Sequence, residues 1–211
     1  MTNDFYSKVM SSVQSSIFTD EDLKLIFSGK ELHQIHNSLS YHLKMKHMIK
    51  YKRGVYSLAG LRAVISVYEL ASKLYGPSYI SFESALSHHG LIPEAVYEVT
   101  SACFQKKMKM FKTKVGNFSY VHSPVDPFLL EVEKIDNALM ATPIRALFDT
   151  IYKRKIVYRE IGDLDLDLRI DLDELKNIVE PYSANDLIGL GESYMKKSTQ
   201  VLAQILIRSF K

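Results

Sequence analysis

Between Glu31 and Leu58 the chain switches its hydrophobic period from helical to alternating. Leu32, Ile35, Leu39 and Leu43 recur at steps of three and four, so they share one side of a helix and form its buried face. Advancing about 100° per residue puts Gln34, Asn37, Tyr41 and Lys44 on the far side, with Ser38 and Ser40 on its flanks. That side is entirely hydrogen-bonding or cationic. Next, Ile49-Lys50-Tyr51-Lys52 and Val55-Tyr56-Ser57-Leu58 flank Arg53-Gly54, a two-residue turn in which Gly54 takes backbone angles that other residues avoid. Such a turn pairs Ile49 with Leu58 and Tyr51 with Tyr56, places these four over the helices, and leaves Lys50, Lys52 and Arg53 outside. Arg is less favourable than Asn or Asp at the first turn position, which leaves a longer loop open.

Upstream, Phe5 to Phe18 and Thr19 to Phe27 read as two helices. Thr19 is the N-cap of the second, Asp20, Glu21 and Asp22 lie against its positive end, and Thr19 with Asp22 fits a capping box. Ser28-Gly29-Lys30 breaks the chain before the polar-faced helix. The order helix, helix, helix, hairpin over residues 4 to 58 is that of a winged helix-turn-helix. Leu61 to Tyr75, with Leu61, Val64, Tyr68, Ala71 and Leu74 at helical spacing, reads as a connecting helix ended by Gly76-Pro77. The expected division is therefore 1–60 as a winged helix-turn-helix, 61–77 as the connecting helix and 78–211 as a second domain.

From Ser78 short strands and helices mix, which predicts an α+β fold for that domain and for the chain. Ser81 caps a helix ending at Gly90. Val96 to Phe104 and Phe118 to His122 read as strands, and Phe128 to Glu133 as another. Thr142-Pro143 starts a helix whose apolar face is Ile144, Leu147, Phe148 and Ile151. Asp171 to Glu174 resembles a capping box for a helix through Val179, and Glu192 to Phe210 reads as a closing amphipathic helix. The segment holding Lys106, Lys107, Lys109, Lys112 and Lys114 reads as a solvated hairpin loop in preference to a second nucleic-acid contact.

A chain of 211 residues, 46% hydrophobic, can bury a proper core, which excludes the disordered classes. Its formal charge of +3 is unevenly spread: residues 31 to 62 hold six Lys or Arg against one acid, coincident with the helix and hairpin. A helix offering amides and hydroxyls to base edges, followed by a loop offering cations to phosphates, is the division of labour of a winged DNA reader. The expected DNA-binding residues are Gln34, Asn37, Ser38, Tyr41, Lys44, Lys50, Lys52 and Arg53. The single Cys103 excludes an internal disulfide and a Cys-based zinc site, which fits a reducing interior. Residues 1 to 17 lack an apolar signal core, and no apolar run approaches the roughly 20 residues that span a bilayer, so a soluble, cytoplasmic protein with no membrane partner is expected.

Candidate catalytic chemistry is thin. The pairs His33 and His36, His42 and His47, and His88 and His89 lack the helical spacing and nearby acid of a zinc hydrolase, so surface or capping histidines are expected. Asp163, Asp165, Asp167 and Glu174 match positions of a calcium loop, but Leu168 stands where that loop needs Gly. Alternating Asp and Leu there reads as an extended segment leading to the Asp171 cap. No lysine completes a metal-dependent nuclease site, there is no Gly-rich phosphate loop, and Cys103 has no base partner. No catalysis, cofactor or metal is expected.

Two runs carry a family resemblance: Tyr79-Ile-Ser-Phe-Glu-Ser-Ala-Leu-Ser-His-His-Gly-Leu91, and Ala141-Thr-Pro-Ile-Arg-Ala-Leu-Phe-Asp149 some fifty residues later. Together they resemble the AbiEi family of bacterial antitoxins, and Arg53-Gly54-Val55-Tyr56 is similar to the wing end of its N-terminal domain. The resemblance spans roughly residues 19 to 155. It implies an N-terminal domain that represses its own operon by binding inverted repeats in double-stranded DNA, as a homo-oligomer on DNA. It also implies a C-terminal domain that supplies antitoxicity against an AbiEii nucleotidyltransferase toxin without a stable toxin complex. Ser81, Ser84, His89 and Gly90 then belong to the antitoxin-domain signature. A purely physical account also exists: Ser81 caps the helix, Ala85 and Leu86 pack inward, Gly90 reverses the chain and Leu91 returns to the core. The polar, histidine-rich recognition helix departs from common members, so the operator cannot be transferred from them. The leading expectation is a DNA-binding antitoxin and autorepressor. A winged-helix regulator with a ligand-sensing or dimerising second domain, and a metal-dependent nuclease using the acidic segment, are its rivals.

Overall fold

A computed structural model describes residues 2–13, 15, 17–60, 65–93, 97–126 and 131–211. They form an α+β protein of two compact units, Met1–Leu74 and Tyr75–Lys211.

The first unit runs α1 (Thr2–Ser12), β1 (Ile17–Thr19), α2 (Asp20–Ile26), α3 (Leu32–Lys44), β2 (Met48–Lys52), β3 (Val55–Leu58) and α4 (Val67–Leu74). Its antiparallel sheet has the order β1-β3-β2. Thr19 opens α2 as expected: its hydroxyl accepts from the Asp22 N–H at 3.2 Å, and Asp22 returns a bond to the Thr19 N–H at 2.8 Å. Phe5 and Val9 from α1, Leu23 from α2, Ile35 and Leu39 from α3, and Met48, Tyr56 and Leu58 from the hairpin close one core. The first helix ends at Ser12, and Ile17–Thr19 pairs with β3 as a strand, where the sequence suggested helix through Phe18. Backbone pairing with a distant strand outweighed a weak local helical preference.

The Arg53-Gly54 turn is a two-residue turn, with Lys52 opposite Val55 and Gly54 at φ +83°. The predicted register beyond it is corrected. A bulge between Lys50 and Lys52 shifts the pairing by one, so Lys50 faces Tyr56, Ile49 faces Ser57, and Met48 faces Leu58. A one-residue slip exchanges the faces of a strand. Met48 therefore joins Tyr56 and Leu58 in the core, while Tyr51 bonds Ser57 on the other face at 3.0 Å. The connecting helix is shorter than its periodicity suggested: α4 starts at Val67, where the Ser66 hydroxyl accepts from the Glu69 N–H. Leu61 and Val64 lie outside the described residues.

The second unit is a six-stranded mixed sheet of order β6-β7-β5-β4-β9-β8, built from β4 (Ser78–Ile80), β5 (Glu98–Phe104), β6 (Lys109–Lys112), β7 (Asn117–Ser123), β8 (Val132–Ile135) and β9 (Ala138–Ala141). The pairs β5–β7 and β4–β9 are parallel, the others antiparallel. Its helices are α5 (Phe82–His88), α6 (Pro143–Arg154), α7 (Ile161–Leu168), α8 (Leu172–Val179), α9 (Ala184–Ser193) and α10 (Lys197–Phe210). Helix α5 packs on β5 and α6, and α10 lies against α6, α7, α8 and α9. The caps read from sequence hold at α6, where Thr142 accepts from the Arg145 N–H, and at α8, where Asp171 accepts from the N–H groups of Asp173 and Glu174.

Three expectations are corrected in this unit. The lysine-rich segment contains the edge strand β6 rather than only a loop. The Asp163–Asp167 segment is helical, because Leu164 and Leu168, four apart, are both buried while Leu166 is 86% exposed. The closing helix starts later than expected, at Lys197 rather than Glu192, because Glu192 and Ser193 end a separate helix, α9, opened by a capping box between Ser183 and Asp186. Val96 and Phe128 lie outside the described residues. No described helix is long and apolar enough to cross a membrane.

Candidate nucleic-acid interface

Helix α3 is held by Ile35 and Leu39, and by His42, which sequence reasoning placed at the surface or in a cap. His42 is buried because its ring stacks on Phe5 at 5.5 Å and meets Tyr41 edge-on at 5.3 Å. Its Nδ1 lies 3.2 Å from that of His47, so one ring donates and the other accepts. Leu32, expected in the buried face, is 48% exposed because it is the first residue of the helix. The opposite side is as the periodicity predicted: Gln34, Asn37, Tyr41 and Lys44 are all exposed. Ser38 is half-buried and turned back on its own helix, its hydroxyl donating to the Gln34 carbonyl at 3.1 Å.

At the hairpin, Lys50 and Arg53 are exposed. Lys52 is corrected: it is half-buried and its ammonium donates to the Leu74 carbonyl. The carbonyl end of α4 carries the negative end of its dipole and so attracts a cation. The turn itself is tied down, with the Asp20 N–H donating to the Gly54 carbonyl and the Gly54 N–H to the Tyr56 hydroxyl, each at 3.2 Å. Burial first, with the Asp20 carboxylate adding, raises the Tyr56 phenol above its ordinary value and keeps it protonated. A Cβ at Gly54 would stand 3.3 Å from an Asp20 carboxylate oxygen. The wing is thus anchored at the start of α2, while Lys50 and Arg53 remain exposed.

In the second unit the two motif runs meet at one buried carboxylate. Asp149 on α6 accepts from the hydroxyls of Ser81 (2.6 Å), Tyr79 (2.9 Å), Tyr194 (2.8 Å) and Ser123 (3.2 Å). The Arg145 guanidinium, one turn earlier, stands 3.5 Å from the same carboxylate and donates to Tyr79 at 2.8 Å; Arg145 and Asp149 have no exposed side-chain surface. Burial lowers the Arg145 pKa, but Asp149 and the two phenols more than offset it, so the group is held above its ordinary value. Burial, reinforced by Asp149, pushes both Tyr79 and Tyr194 well above theirs, so both remain donors.

Ser81 occupies the N-cap position of α5 but makes no side-chain cap, which corrects the role expected for it. Its hydroxyl serves Asp149, and Thr100 from β5 takes over the cap by accepting from the Ser84 N–H at 3.2 Å. Ser84 is buried, accepting from the Thr100 N–H at 2.8 Å and donating to the Glu98 carbonyl. His89 bonds the Ala141 carbonyl at 3.0 Å, and Gly90 is an exposed turn residue at φ +74°. All four signature residues are brought to the α5 region, and the three with side chains join α5 to other elements. Tyr79, Ser123, Asp149 and Tyr194 were missed as a cluster. The sequence signal was the Arg145, Asp149 pair at helical spacing within an otherwise apolar stripe.

Asp163 accepts from the N–H groups of Arg159 and Glu160, and Asp167 bonds Arg154 at 2.7 Å and also Tyr158. Among the described residues no group of three or more His, Cys, Asp or Glu side chains is arranged to hold a metal ion.

No protein-family model and no curated protein matches this chain. Among solved structures, the RV2827C protein from Mycobacterium tuberculosis has a similar fold, with a TM-score of 0.51 and 16% identity over 99% of this chain and 82% of that one. At that identity the likeness concerns the fold alone.

Proposed function

We propose that this protein is a DNA-binding antitoxin and autorepressor, whose first unit reads operator DNA through α3 and the β2–β3 wing. The observation that carries this reading is the outward face of α3, with Gln34, Asn37, Tyr41 and Lys44 exposed beside a wing that exposes Lys50 and Arg53. Amides and the phenol suit base edges, and the three cations suit phosphates. The order α1-β1-α2-α3-β2-β3 supports this reading, because it is the order expected of a winged helix-turn-helix, in which the second helix of the motif enters the major groove. The antitoxin half of the reading rests on the resemblance of the two motif runs to AbiEi antitoxins. Under it, the functional partner is a nucleotidyltransferase-like toxin opposed without a stable complex.

The test is fluorescence anisotropy on duplex DNA from upstream of the gene. Three neutralised phosphates per protomer give a slope of log affinity against log salt of about −2.7, doubled for two protomers on an inverted repeat. A variant with Lys50→Ala and Arg53→Ala that binds as tightly as the parent removes the wing from the proposal. Co-expression with a neighbouring nucleotidyltransferase-like gene tests antitoxicity separately, and failure to restore growth removes that half.

A further inference from the structure

Strand β6 is the edge of the six-stranded sheet, and it carries charge that the operator-binding reading does not use. Lys107, Lys109, Lys112 and Lys114 are exposed, and residues 105 to 122 contain no carboxylate. None of these lysines has an ion pair among the described residues. Lysine on an edge strand ordinarily blocks pairing with another chain. That role needs one or two charges and does not account for Met108 and Met110, interleaved with the lysines and 70% and 66% exposed. On the face opposite Met110, the Lys109 ammonium lies 5.3 Å from the ring centres of both Tyr75 and Phe111. Lys106 is engaged with the Gly76 carbonyl and is not counted.

We propose that the β6 edge, from Lys107 to Lys114, is a binding track for single-stranded nucleic acid. Alternation along the strand puts Met110 and Lys112 on one face of the edge and Lys109 and Phe111 on the other, so each face offers a cation beside an apolar side chain to a chain lying along the edge. A single strand also exposes base faces, to which Met110 beside Lys112 and Phe111 beside Lys109 offer apolar surface; a duplex shows this edge only phosphates. The β6–β7 ribbon is not placed to enter a major groove, because β7 is paired on its other side with β5. An acidic peptide would meet the same charge but would leave the methionines without a matching feature.

The experiment uses the full chain and a labelled 20-nucleotide single strand of mixed sequence, alongside a blunt duplex of the same length, in anisotropy titrations across a salt series. Four neutralised phosphates predict a single-strand slope of about −2.8. The variant Lys107→Ala, Lys109→Ala, Lys112→Ala, Lys114→Ala should bind the single strand at least tenfold more weakly, keep its melting temperature and keep its affinity for operator duplex. Replacing the same four by Arg should retain single-strand binding. The proposal is overturned by absence of single-strand binding or by an alanine variant with undiminished affinity. Equal loss on the blunt duplex, or equal displacement by polyglutamate, also overturns it.

Discussion

Asp149 has no exposed side-chain surface, and it is tolerated because hydroxyl donors and Arg145 surround it. Removing one partner of a buried ion pair strands the other, at about 3–5 kcal/mol. Asp149→Ala is therefore expected to lower unfolding stability by that amount in urea denaturation, and Tyr194→Phe by about 1–3 kcal/mol through the loss of one donor. The titrating groups set a pH window. Asp167 sits below its ordinary value of 3.8 chiefly because Tyr158 bonds it, so its stabilisation is present above that value and fades as pH falls through the lowered one. Tyr79 and Tyr194 sit well above 10.0, chiefly through burial; their contribution is full below pH 10.0 and is lost as pH rises towards their raised values. Through these groups stability should be flat between roughly pH 4 and 9, the upper limit set by the Cys103 thiol, which burial raises from 9.0. Denaturation across a pH series checks this, with Asp167→Asn expected to flatten the acid limb. At the wing, Lys50→Ala and Arg53→Ala should together reduce the magnitude of the duplex salt slope by about 1.8 per protomer. Lys52→Ala should leave that slope unchanged, because its ammonium is held on Leu74.

Helices α9 and α10 approach so closely that a Cβ at Gly191 would meet the Thr199 carbonyl oxygen at 2.9 Å and the Ala203 Cβ at 3.1 Å. The carbonyl oxygen belongs to backbone and cannot swing aside, so Gly191→Ala should destabilise by about 1–3 kcal/mol despite the better helix propensity of Ala. Two residues earlier, Gly189 is exposed with nothing within 4 Å of its would-be Cβ. There Gly189→Ala should stabilise by up to about 1 kcal/mol. Opposite signs in thermal unfolding test the packing of this helix pair. The wing offers a second contrast. The bulge makes Met48 the core residue, so Met48→Ala should cost about 2–5 kcal/mol, whereas Ile49→Ala, at a half-buried position, should cost less.

The molecule divides into two units, each with its own buried residues. A lesion at Asp149 in the second should depress thermal stability while leaving operator affinity, which the proposed function assigns to α3 and the wing, close to that of the parent. Calorimetry and anisotropy on the same Asp149→Ala sample check both parts. A matched loss of operator affinity at temperatures where the variant remains folded would show the second unit to be part of the DNA-binding apparatus.

The sequence by itself determined what depends on neighbours a few residues away. Thr19, Thr142 and Asp171 start their helices through their own side chains, Arg53-Gly54 makes its turn, and the polar side of α3 follows from the three-and-four spacing of Ile35 and Leu39. Only tertiary structure decided which polar groups turn inward and how strands align. His42 is buried by Phe5 from another helix, Lys52 is drawn to the end of α4, the bulge at Tyr51 sets which side of β2 faces the core, and the donors to Asp149 come from 26 to 70 residues away. Capping and periodicity are local energies, legible in a short window. Burial of a charge or hydroxyl is affordable only when distant partners converge on it, and no spacing along the chain records that convergence.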